Sequence, residues 1–262
     1  MAIYNSIGQQ YAKTRVPDRR IVNQLIDLLD LPQGSAISDI GAGTGNYSYA
    51  LANQGFWVKA IEPSVVMQQQ AIAHPQLQWF TGYAENLPLG DRSVDAAIST
   101  LAIHHFSDLP KAFQEMHRVV KDGAIVLLTF DIRLAQKIWL YDYFPVFWED
   151  SARFLTLNQQ IDLIHQNTKR KVEAIPFLVP DDLSDLFAAA AWKRPELYLD
   201  PQVRSGISAF ALANQNSIEQ GVKLLEKDLS SGAWTKKYSD IQNLTEIDFG
   251  YRFIRATLDK QL

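Results

Sequence analysis

Residues 39–47, DIGAGTGNY, decide how this chain folds. Upstream, Ala36, Ile37 and Ile40 make a short apolar run that reads as a buried strand; downstream, Tyr47 to Leu51 opens a helical pattern. Gly41, Gly43 and Gly45 carry no Cβ and accept positive φ, so the chain turns sharply there and a ligand can come close to the backbone. Strand, glycine-rich turn and helix together make a nucleotide-binding geometry, with the first helical amides facing the ligand. Working outward, Trp57 to Ile61 is a second apolar strand, and it ends in Glu62, about where a ribose-binding carboxylate sits. A ribose diol offers hydroxyl donors and a carboxylate accepts with two oxygens, so one acid at that point fixes a ribose.

Two cofactor chemistries share this layout. A dinucleotide site uses GxGxxG, its third glycine allowing close helix packing; here the frame from Gly41 puts Asn46 at that position. The spacing is instead GxGxG with Asp39 two residues ahead, and it resembles the first motif of class I S-adenosylmethionine-dependent methyltransferases. That cofactor has no phosphate and carries a cationic sulfonium, so an acid beside the turn suits it, whereas the same acid repels a pyrophosphate. Residues 82–99, GYAENLPLGDRSVDAAIS, are similar to the family's adenine loop and fourth strand, and residues 115–130, EMHRVVKDGAIVLLTF, to its closing signature. With Glu62, these motifs extend the resemblance over roughly 34–131, closest to the type 11-like, small-molecule enzymes.

The resemblance implies a set of cofactor contacts. At the turn these are Asp39, Gly41, Ala42, Gly43 and Gly45; after the second strand, Glu62 and Pro63, with Met67 packing on the adenosine or simply in the core. Many relatives have an aspartate where this chain has Tyr83, so the adenine edge falls to the Ala84 amide and the Glu85 carboxylate. Leu101 follows the fourth strand, and Tyr11 and Arg15, in a tyrosine-rich N-terminal arm, either meet the cofactor's carboxylate or pack on the surface. Residues 100–106, TLAIHHF, leave the fourth strand at the carboxyl edge of the sheet, where open α/β sheets bind ligands. In the family a histidine-containing stretch here lines the acceptor side. His104 and His105 are therefore the catalytic candidates, one as general base and the other structural. A metal is not expected, since sequence neighbours rarely share a metal face and no third ligand stands at suitable spacing.

Composition narrows the rest. A formal charge of −4 and a single tight basic cluster, Lys169 to Lys171, argue against a nucleic-acid partner. The absence of cysteine excludes disulfides and cysteine-based catalysis or metal binding. The opening MAIYNSIGQQYAKTR lacks the apolar core of a signal peptide and no apolar run approaches membrane-spanning length, so the expected location is cytoplasmic. Asp18 to Asp30 reads as an amphipathic helix. A dense aromatic stretch from Ile138 to Trp148 reads as core or as a wall for a flat acceptor, Lys171 to Val179 as an outer strand, and Asp181 to Ala233 as a mostly helical cap. Glu246 to Leu258 reads as a final edge strand.

The expected fold is thus α/β, a Rossmann-like doubly wound sheet, mostly parallel with an antiparallel edge strand, plus helical cap insertions. Residues 1–33 would form an N-terminal lid and first helix, 34–131 the cofactor-binding core, and 132–262 the cap and remaining strands of one domain. The expected function is methyl transfer, in line, from S-adenosyl-L-methionine to a small organic acceptor of aromatic or lipophilic character, leaving S-adenosyl-L-homocysteine. An NAD(P)-dependent oxidoreductase and a non-catalytic cofactor-binding protein are the alternatives.

Overall fold

Short apolar runs flanking a glycine turn can be buried on both faces only inside a parallel sheet covered by helices, and the chain uses them that way. A computed structural model describes residues 14–135, 139–149 and 153–259; Tyr11 and Ile138 lie outside the described residues. Helix α1 (Arg19–Leu29) begins at Asp18, whose carboxylate accepts from the Arg20 amide, and buries Ile21, Val22, Leu25 and Leu29. Strand β1 (Ala36–Ile40) and helix α2 (Asn46–Asn53) flank the turn. There follow β2 (Trp57–Ile61), the short α3 (Val65–Gln68), β3 (Leu77–Phe80), β4 (Ala96–Thr100), α4 (Leu109–Val119) and β5 (Ile125–Phe130). Beyond them come α5 (Leu140–Tyr143), α6 (Val146–Glu149), α7 (Leu157–Thr168), β6 (Lys171–Pro176) and β7 (Val179–Pro180). The last elements are α8 (Pro201–Ser205), α9 (Ser208–Leu212), α10 (Gln215–Ser230), α11 (Ala233–Lys237), β8 (Glu246–Ile247) and β9 (Tyr251–Thr257).

The seven-stranded sheet runs β3-β2-β1-β4-β5-β9-β6. Strands β1 to β5 are parallel, while β9 is antiparallel to both β5 and β6. The strand order reverses between β1 and β4, so the chain leaves their carboxyl ends in opposite directions and opens a crevice there. That crevice lies between the glycine turn and the segment carrying His104 and His105.

Two expectations are corrected. The antiparallel strand is not at the edge: β9 sits one place in, because Phe253 and Ile254 are fully buried and it needs cover on both faces. The edge belongs to β6, whose exposed Lys171 and Glu173 discourage pairing with another chain. Residues 181–233 are also less helical than their composition implies. The alanine run ending at Trp192 is a series of turns around a fully buried indole, whose Nε1 donates to the Val179 carbonyl at 3.1 Å. Pro195 and Pro201 start new short elements, leaving α10 as the long helix of the cap.

Candidate active site

The turn is shaped by what each glycine leaves out. At Gly43, with φ of +59°, an added Cβ would meet only Met67 Cε at 3.4 Å, so its missing side chain leaves open space toward the cavity that Gly43 lines. At Gly45, with φ of +76°, a Cβ would fall 2.4 Å from the Trp79 ring, so that glycine admits a tryptophan of β3 against the helix start. Across the turn, the buried Glu62 carboxylate accepts from the Gly43 amide at 3.0 Å and the Ser64 amide at 2.8 Å. Burial pushes its pKa up, against the pull of both amides.

These groups border a cavity of about 510 Å³. Gly41, Ala42 and Gly43 face it from the turn, Glu62, Pro63 and Met67 from β2 and its exit, and Ala84 and Glu85 from the loop after β3. Arg15, Leu101, His104 and His105 close its far side. Asp39 and Gly45 are not among the lining residues. Asp39 is buried within β1 and accepts the Ser48 hydroxyl at 2.5 Å, bracing the first turn of α2 from behind. Burial, opposed by that hydroxyl and reinforced by the Glu62 charge, pushes its carboxyl up to about 7. Glu85 is raised by burial, but donors including Ser107 and Asp108 outweigh that and hold its carboxyl below the usual range.

A second cavity, of about 340 Å³, adjoins the first. Its walls are largely apolar, with Phe130, Tyr141, Phe147, Phe154, Ala209 and Tyr251 among them. The aromatic stretch is therefore divided: Trp139, Tyr143 and Phe144 are buried core, while Tyr141 and Phe147 face this chamber. Arg15, Leu101, His104 and His105 border both cavities and form the seam between them. Leu101 holds a left-handed backbone with φ of +52°, its amide donating to the Leu128 carbonyl at 2.8 Å. A non-glycine residue keeps such a conformation only where its surroundings impose it.

The histidine rings lie 3.9 Å apart, and His104 packs edge-on against Phe130 at 5.2 Å and Phe154 at 5.8 Å. Desolvation by neighbouring atoms, then the charge of Arg15, brings the His105 pKa down to about 4 although the residue still reaches solvent; desolvation, His105 and Arg15 push the half-buried His104 well below its usual range. Both rings are thus neutral at neutral pH, able to accept a proton. Arg15 is itself tied to Asp185, a residue that motif reading missed because it lies 170 positions away in the cap with no local signal.

A glycine turn facing a buried acid, beside an apolar chamber that shares a histidine-bearing wall with it at the switch point of the sheet, is a layout suited to a nucleoside-dependent transferase. The comparisons specify it. The profile of a methyltransferase domain matches residues 38–128. A crystal structure from Anabaena variabilis ATCC 29413, provisionally assigned as a methyltransferase from an antibiotic biosynthesis pathway, shares 69% identity over 94% of this chain and 99% of that one, with a TM-score of 0.92. An uncharacterized methyltransferase of Mycobacterium tuberculosis H37Rv is 28% identical over 173 residues, 64% of this chain and 70% of that one. The fold alone is shared with Haemonchus contortus phosphoethanolamine N-methyltransferase 2, solved in complex with S-adenosyl-L-methionine: TM-score 0.60, 16% identity, 92% of this chain and 52% of that one. The chain belongs to the S-adenosylmethionine-dependent methyltransferase family and is an enzyme of that class. Nothing in these likenesses favours the oxidoreductase alternative.

Proposed function

We propose that the larger cavity holds S-adenosylmethionine, that the smaller chamber holds a small, largely apolar or aromatic acceptor, and that His105 is the base between them. The observation that carries this is the seam: one set of four residues borders both cavities, so His105 stands where the two meet. The residues fit the cofactor. Gly43 leaves open space on the ligand side, Glu62 presents a fixed carboxylate to a diol, and Met67 and Ala84 supply apolar surface for a purine. Bound there, the cofactor supplies an electrophilic methyl on a cationic sulfur. The chain's own part is to align: Leu101 and the histidines set the boundary between the cavities, and the aromatic walls hold the acceptor against it. His105, a neutral ring open to both sides, takes the proton of an acceptor O–H or N–H at an imidazole nitrogen. His104, held by Phe130 and Phe154, positions that ring. The assignment of the Anabaena relative to an antibiotic biosynthesis pathway supports a small organic acceptor. In this division residues 34–131 carry the cofactor and 132–262 the cap, with the N-terminal lid and first helix in 1–33.

Ala209→Phe tests the chamber. Ala209 lines the smaller cavity only, so a ring at that position fills acceptor space. Methylation across a panel of small apolar acceptors should fall at least about tenfold, with S-adenosylhomocysteine binding by calorimetry unchanged. Turnover that survives would place the acceptor elsewhere. For Glu62→Ala the expected loss of S-adenosylhomocysteine affinity is about 1.5–3 kcal/mol, the scale of a hydrogen bond to a charged group. Unchanged affinity would remove Glu62 from the ribose site.

A further inference from the structure

The cap and the N-terminal segment are stitched together directly over the cofactor cavity. Arg15 pairs with Asp185 as a short antiparallel bridge, and the Leu186 amide donates to the Thr14 carbonyl at 3.1 Å. Farther along, the Ser184 amide and hydroxyl reach Asp18, and Arg20 reaches Asp182. At the centre is Asp185, only 1% exposed. Its carboxylate accepts from Arg15 Nε at 2.5 Å and Nη2 at 3.2 Å, and from the Tyr47 hydroxyl at 2.9 Å. The Arg15 carbonyl in turn accepts from the Asn46 amide group at the start of α2. Strap, cap and glycine-turn helix therefore meet at one ion pair.

Where that pair stands decides its use. The inference rests on the assignment of this cavity to S-adenosylmethionine, whose nucleoside occupies the Glu62 and Ala84 side and whose sulfur must face the chamber. The amino acid tail then has the remaining side, where Arg15, Thr44, Asn46, Tyr47 and Asp185 line the wall. The tail's carboxylate calls for a cation, and Arg15 is the one arginine or lysine among the described residues lining this cavity. A guanidinium on a long, flexible side chain serves as a fixed anchor only when something sets its plane. We propose that Asp185 is a positioning residue for the amino acid tail: through the two-pronged pair it fixes Arg15, Tyr47 fixes Asp185, and the strap closes over the tail.

The consequence is selective. Loosening the pair weakens ligands that carry the tail and spares those that lack it, whereas a purely structural role would weaken both.

Calorimetry on Asp185→Asn with two probes separates these. S-adenosylhomocysteine carries the tail, and 5′-methylthioadenosine has the same nucleoside and sulfur without it. Affinity for the first should fall about tenfold or more, with the second unchanged within about twofold. The same substitution in an Arg15→Gln background should add little further loss, because the two side chains act as one unit. Removing the partner of a nearly buried arginine can unfold the chain, so Tyr47→Phe, which deletes only a hydroxyl, is the second variant. It should show the same selectivity at a smaller amplitude, about threefold. Equal losses for both probes in the folded variants, or no loss for S-adenosylhomocysteine, overturn the proposal. Wild-type protein that binds neither probe would instead contradict the assignment of the cavity.

Discussion

Gly43→Val is expected to reduce S-adenosylhomocysteine affinity by more than about a hundredfold while the sheet stays folded. Gly43 has φ of +59°, a conformation that β-branched residues essentially never adopt, so the backbone of the turn must shift to accept valine. Its amide donates to Glu62 at 3.0 Å, and any shift moves the carboxylate assigned to the ribose as well. The branched side chain would also occupy the space that a Cβ meets only at Met67. Backbone strain of about 1–3 kcal/mol is the expected stability cost, because the change lies in a turn and deletes no core side chain. Calorimetry reads the affinity and far-UV circular dichroism the fold. Normal binding by this variant would show that the turn is not the cofactor's seat.

His105→Gln should lower the turnover rate by about 10²–10⁴-fold, the range for a positioned general base, with S-adenosylhomocysteine affinity nearly unchanged. Glutamine keeps much of the size and polarity of the ring but has no basic nitrogen at working pH. The pH profile carries the same information. A base works only when unprotonated, so the rate should fall as pH drops through about 4, the depressed pKa of His105, rather than near 6.5, the value for an ordinary histidine. Between about 5 and 7 the His105-dependent part of the profile should be flat. An acid limb near 6.5, or full activity in the glutamine variant with an acceptor that bears an ionisable proton, would remove His105 as the base.

The half of the fold around the glycine turn is legible in the sequence because its signals are local. The glycines act through their own φ values and missing side chains, and Glu62 reaches the turn because β1 and β2 are parallel neighbours in register from Ala36–Trp57 to Ile40–Ile61. Asp39 shows the limit of such reading. Its position before the turn suggests a carboxylate for the cofactor, yet its place inside β1 points it at Ser48, and it braces the helix that the larger cavity borders.

The smaller chamber is less legible because its walls come from distant segments. Tyr141, Phe147 and Ala209 become neighbours only when the cap folds back over β4 and β5, and nothing within any one segment announces the other two. Asp185 belongs to the same class: its partners are Arg15 and Tyr47, and no spacing rule links them. The place of the antiparallel strand is hidden from the sequence for a related reason. A run such as YRFIRAT is compatible with a half-covered edge or a fully covered interior, and only the presence of β6 outside it decides.

The most direct test of the account is a crystal of the protein soaked in S-adenosylhomocysteine. Density is expected in the larger cavity, with ribose hydroxyls on Glu62, the amino acid tail toward Arg15, and sulfur at the seam facing His105 and the apolar chamber. Density bound elsewhere, or a sulfur turned away from that chamber, would contradict it.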